Sequence, residues 1–98
     1  MKIELNQQID LGTVQFGTTK EFDVPVKNLT AQKLSVQVVP RCGSCTKVVD
    51  NPQWVNSGDT IIIKLSFTPT RQGEQSKMVD IRVNGTNEST ITFKANVI

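Results

Sequence analysis

Cys42-Gly43-Ser44-Cys45 is the stretch of this 98-residue sequence whose residue types and spacing suggest a specific chemistry. Two cysteines separated by two residues bring their sulfurs within reach of each other or of a single metal ion. A structural zinc needs four ligands. With no His and no third Cys in the chain, the other two would have to be carboxylates or belong to a second chain, so no metal is expected. A redox dithiol of the thioredoxin kind needs its first cysteine at a helix N-terminus, where the dipole lowers the thiol pKa. Here Thr46-Lys47-Val48-Val49 reads as strand, which leaves only Arg41 and Lys47 as charges that would favour a thiolate. The plainer expectation is an exposed strand-end loop whose cysteines are free or locally bridged. A bridge closing so short a loop is worth about 2 kcal/mol, so Cys42 and Cys45 are expected to be dispensable for folding.

Other chemistry is largely excluded by what is missing. The chain has neither His nor Tyr, so the usual proton shuttle near neutral pH is lacking and most nucleophile-base arrangements cannot be built. Asp50, Asp59 and Asp80 stand isolated in sequence and read as solvated, and no Gly-rich phosphate loop or paired-carboxylate site is present. The expectation is therefore a protein that is not an enzyme, with no catalytic residues, no metal and no cofactor. Eleven Lys and Arg against nine Asp and Glu give a net charge of +2. The basic residues are scattered, which argues against nucleic acid as a partner. No apolar run approaches the roughly 20 residues needed to span a bilayer, and the N-terminus MKIELNQQID alternates where a signal peptide would be uninterrupted. No membrane partner is expected, and as it stands the chain should be soluble and intracellular at synthesis; a chain whose leader had been removed would read the same.

The elements that must position these residues are strands. Twelve Val, eight Ile and eleven Thr, against two Ala and four Glu, are the composition of a pleated sheet. Period-two alternation marks five strands through Phe22/Val24/Val26, Leu34/Val36/Val38, Ile61/Ile63/Leu65/Phe67, Val79/Ile81/Val83 and Ile91/Phe93/Ala95/Val97. Lys2 to Phe16, broken at Gly12, suits one irregular strand or a pair along a sheet edge, and Thr46 to Val49 adds a short one. Turn residues cluster at Asn28 to Gln32, Arg41 to Ser44, Asn56 to Asp59, Pro69 to Glu74 and Asn84 to Ser89. Each strand has one apolar face, and two sheets packed face to face bury all of them at once. The expected fold is all-β, a single immunoglobulin-like β-sandwich domain over residues 1–98 with about seven antiparallel strands. Val36, Val38, Ile63, Leu65, Ile81 and Phe93 should share its core. Pro25, on the polar side of its strand, implies an edge or a bulge. Trp54, beside Pro52 and Val55, reads first as a lid on the core; exposed, it would be an anchor for a partner. Trp54, Arg41 and Lys47 are the candidate partner contacts. The acceptor-like triplets beginning at Asn28, Asn84 and Asn87 read as turns.

A family resemblance runs along almost the whole chain. It is carried by Leu11-Gly12-x-Val14-x-x-Gly17, Phe22-x-Val24-x-Val26-x-Asn28, Arg41-Cys42-Gly43-Ser44-Cys45-Thr46, Gly58-Asp59, Phe67-Thr68-Pro69, Gly73 and Phe93-x-Ala95-x-Val97. This pattern resembles the bacterial Ig-like family of unknown function with a Cys-Gly-Cys-Thr signature, a relative of major sperm protein and Hydin-type domains. Two departures stand out: Gly43-Ser44 lies where the signature usually has one Gly, and Ser57 lies where a Pro usually precedes Gly58. The resemblance thus supports the fold better than any cysteine chemistry. It implies a structural or interaction module that binds a protein partner or sits in a larger assembly, homo-oligomers included; a phage particle, whose Ig-like decorations have comparable size, is the example that fold analogy suggests. The alternative is a small thiol protein working through Cys42 and Cys45.

Overall fold

Each alternation becomes a strand whose apolar side chains turn toward one interior. The computed structural model describes residues 2–98, and these form β1 (Ile3–Glu4), β2 (Gln8–Val14), β3 (Lys20–Asn28), β4 (Leu34–Pro40), β5 (Thr46–Asp50), β6 (Trp54–Val55), β7 (Thr60–Phe67), β8 (Gly73–Val83) and β9 (Thr86–Val97). They build a four-stranded sheet in the order β1-β3-β7-β5 and a five-stranded sheet in the order β2-β9-β8-β4-β6. Between the sheets lie Val36, Val38, Ile63, Leu65, Ile81 and Phe93, all buried as expected, together with Ile3, Val24, Val26, Phe67, Val79 and Ile91. The Phe93 ring sits between two others, 4.9 Å from Phe22 and 5.3 Å from Phe67, centroid to centroid.

The fold class is the expected one, and two details differ. Nine strands replace about seven, because the N-terminal segment is a pair and because the two-residue β6 has no periodicity to announce it. Not all pairing is antiparallel. β1 lies against the end of β3 through Ile3↔Asn28 and Glu4↔Lys27; the chain then changes sheets without reversing, so β2 meets β9 in parallel from Gln8↔Thr92 to Val14↔Val97. Gly12, at φ 72°, takes up the register shift between Asp10 and Thr13, a conformation that a Cβ would strain.

The β8–β9 hairpin corrects the reading of Asn84 to Ser89 as a turn. Val83 pairs with Thr86, so the turn is Asn84-Gly85 alone, with φ of 52° and 83°. Two positive φ values are what a two-residue type I′ hairpin loop requires, and Asn-Gly is its preferred pair. Asn28 also differs from a surface turn residue. It ends β3 fully buried, donating through Nδ2 to the Gln32 carbonyl (2.7 Å) and the Val55 carbonyl (3.0 Å), while its Oδ1 accepts from the Thr30 N–H (2.8 Å) and Thr30 hydroxyl (2.7 Å).

Candidate functional site

β4 belongs to one sheet and β5 to the other, so the chain crosses the sandwich through Arg41–Cys45. A disulfide between Cys42 and Cys45, with Cα atoms 5.6 Å apart, closes this crossing. The Thr46 N–H donates to the Cys42 carbonyl at 3.0 Å and the Thr68 N–H to the Cys45 carbonyl at 2.8 Å, tying the loop to the end of β7. The strand-end placement matches expectation; the exposure does not. Cys45 is 1% exposed and part of the core, Thr46 beside it is buried, and Cys42 packs on the rim. A chain stepping from one layer to the other must pass between them, and the residue that starts β5 is the one carried inside. Breaking the bridge through Cys42→Ala is expected to cost about 2 kcal/mol. Cys45→Ala should cost more, since it also empties a buried site. Urea unfolding of both variants checks the order; equal losses would mean that the Cys45 side chain contributes no packing.

The three candidate contact residues are not brought together. β6 pairs with the start of β4 through Leu34↔Val55 and Ser35↔Trp54. Leu34 and Val55 point inward, so Trp54 points out: it is 54% exposed, with Lys33 Nζ 5.0 Å from its ring centroid. The expectation of a core lid is overturned, and Val55 occupies that place. Arg41 stands at the opposite end of β4, about 20 Å away at ~3.3 Å per residue, on the same outer face. Its Nη2 and Nε donate to the Asp80 carboxylate at 2.9 and 3.2 Å, and its Nη1 to Met78 Sδ at 3.2 Å. Lys47 pairs with Ser66 on the outer face of the other sheet.

Asp80 is not the solvated carboxylate that the sequence suggested. Besides Arg41 it accepts from the Thr90 hydroxyl at 3.0 Å. The Arg41 hydrogen bonds first, and then that of Thr90, hold its carboxyl below the usual range. A lowered pKa means that this pairing contributes above the ordinary carboxylate range and is lost as acid protonates the group. The sequence reading also missed Asn51, whose side chain continues the work of β6. Its Oδ1 accepts from the Val38 N–H at 3.1 Å and its Nδ2 donates to the Val36 carbonyl at 3.2 Å, while the Val36 N–H donates to the Gln53 carbonyl at 2.7 Å. The free side of β4 is thereby closed and Trp54 is held on a fixed edge.

Residues 1–97 match the model of a family described as protein of unknown function, DUF1573. The chain belongs to this family. No curated protein matches its sequence. Among solved structures, this DUF1573 chain is similar to the ASH/PapD-like domain 7 of human CEP192, at 12% identity and a TM-score of 0.82, covering 99% of this chain and 85% of that one. A Porphyromonas gingivalis W83 protein of unknown function aligns at 19% identity and 0.81, covering 96% of this chain and 46% of the other, so the DUF1573 chain spans less than half of it. WR4, a C. elegans member of the major sperm protein family, aligns at 10% identity and 0.66 over 99% and 98% of the two chains. At these identities the likeness shows the fold, a PapD-like and major-sperm-protein-like Ig sandwich. Among the described residues of the DUF1573 chain, no helix is long and apolar enough to cross a membrane.

Proposed function

We infer that this chain is a non-enzymatic Ig-like module that binds a protein partner through the outer face of its five-stranded sheet, with Trp54 as the anchor. The observation that carries the reading is a large aromatic, more than half exposed, on a strand whose fold requires only the neighbouring Val55. Met78 is also exposed on this face, beside the Arg41–Asp80 ion pair. Trp, Met and Arg are the residue types enriched at protein contact surfaces, and a rigid anchor loses little entropy on binding. Lys47, on the opposite sheet, belongs to a separate surface.

A place as one subunit of a larger assembly, a phage particle among them, draws support from the fold analogy and from the polar Thr-, Asn- and Gln-rich surface. The thiol alternative is not favoured, because both sulfurs are joined to each other and one lies in the core. Trp54→Ala is expected to leave urea stability within about 0.5 kcal/mol of the parent and to weaken a partner isolated from the native source by about thirtyfold or more. Unchanged affinity in calorimetry with the folded variant would refute Trp54 as the anchor.

A further inference from the structure

Three of the four sheet edges are closed or broken by local devices. The free side of β4 is covered by β6 and Asn51. On β2 the Gln8 N–H is taken by Asn6 Oδ1 at 3.2 Å, and the Gly12 N–H by Asp10 Oδ1 at 2.8 Å. β5 is short, with a bulge between Val48 and Asp50. β3 is different. The Asn28 N–H donates to the Asp59 carbonyl on the β7 side, and the Leu29 N–H donates to the Lys2 carbonyl on the β1 side. Since successive backbone groups alternate, Val24 and Val26 bond toward β7, whereas Glu21, Asp23 and Pro25 present theirs to the side that β1 covers only at Lys27 and Asn28. The edge from Lys20 to Val26 thus carries two N–H and three C=O groups that no backbone among the described residues meets, the nitrogen of Pro25 having no hydrogen. Inside this edge lies an apolar seam: half-buried Phe22 meets the Phe93 ring, and Phe93 is the register partner of half-buried Ile9 on β2, which has moved to the other sheet.

We propose that this edge accepts a short extended segment of a partner protein, added as a further strand beside β3, with basic side chains alternating with apolar ones. The alternation follows from the pleat. Positions opposite Phe22 and Val24 face the apolar seam; positions opposite Glu21 and Asp23 face solvent beside two exposed carboxylates, which stand against Ser66 and Lys64 of β7 with no ion pair formed among the described residues, so that Lys or Arg in the added strand gains a cross-strand charge pair. The same charges reject a second copy of this chain. Antiparallel pairing of β3 with itself over the open stretch sets Asp23 against Asp23 or Glu21 against Asp23, and like charges directly opposite are destabilising. Pro25 limits the added strand to about five residues, a length that edge-binding domains use.

This inference rests on the reading of the chain as an interaction module but concerns a different surface, so the two fail separately. The probes are a capped peptide of alternating lysine and valine and its glutamate–valine counterpart, added to the full chain, with amide hydrogen exchange followed residue by residue. At about ten times its Kd, the lysine peptide should slow exchange at Glu21 and Asp23 about tenfold, and the glutamate peptide should leave it unchanged. The double variant Glu21→Lys, Asp23→Lys, whose substitutions lie on the outer face, should reverse that preference; Asp23→Pro, which removes an outward N–H, should abolish binding. Equal protection by both peptides, protection confined to another edge such as Val48, or no protection at all would overturn the proposal. A Trp54→Ala result that refutes the anchor leaves these outcomes unaffected.

Discussion

Asn28→Ala is expected to destabilise the protein by about 3 to 5 kcal/mol, although the triplet Asn28-Leu29-Thr30 reads as an ordinary surface turn. The side chain is fully buried and takes part in four hydrogen bonds that join the end of β3 to the following loop and to β6. Truncation removes the Asn28 donor from the buried Val55 carbonyl and leaves the Thr30 N–H without its acceptor, while the Gln32 carbonyl keeps the Thr30 hydroxyl. Each buried polar group stranded in this way costs about 1 to 3 kcal/mol. Asn28→Asp makes the reason visible: near neutral pH a carboxylate can still accept from Thr30 but cannot donate to either carbonyl, so it should be no better than alanine. Denaturant midpoints of the two variants decide the matter. A loss under about 1 kcal/mol for either would mean that the polar knot is dispensable.

Phe93→Ala should cost a similar amount, about 3 to 5 kcal/mol. Its ring is almost fully buried on β9 and touches Phe22 from β3 and Phe67 from β7, so it joins the five-stranded sheet to two strands of the other. Removal opens a cavity and ends both ring contacts, one tilted and one edge-on, each worth roughly 0.5 to 1.5 kcal/mol beyond area. Phe93→Leu keeps most of the volume and should recover much of the loss. A domain of this size has about 5 to 15 kcal/mol in all, so the alanine variant is expected to lose a large share of its stability, measurable as a fall in the thermal midpoint by circular dichroism.

What the sequence disclosed and what it concealed divide along a physical line. Strands such as β7 and β9 bury one face over many residues, and a period of two is then written in plain view by Ile61, Ile63, Leu65 and Phe67. The candidate site depends instead on pairings between distant segments. Trp54 faces outward because it stands opposite Ser35, a register that two residues of strand cannot encode by periodicity. Asp80 meets Arg41 because Pro40 pairs with Val79, which brings residues 39 positions apart into contact. Asn28 is buried because backbone carbonyls, which leave no mark in residue type, converge on it. Cys45 was legible as the end of a loop but not as core, since crossing between sheets is a property of topology and not of the loop.

The change of sheets between β1 and β2 also decides how the domain bears load. β2 and β9 run parallel, from Gln8↔Thr92 to Val14↔Val97, so the start of one and the finish of the other lie at opposite ends of the molecule. Tension drawn between those points runs along both strands and stresses the slanted hydrogen bonds on either side of the Gly12 register shift together. The pair must slide as a whole instead of unzipping bond by bond. β1, held to β3 by only two residue pairs, would let go first, leaving the β2–β9 ladder as the mechanical clamp of the domain.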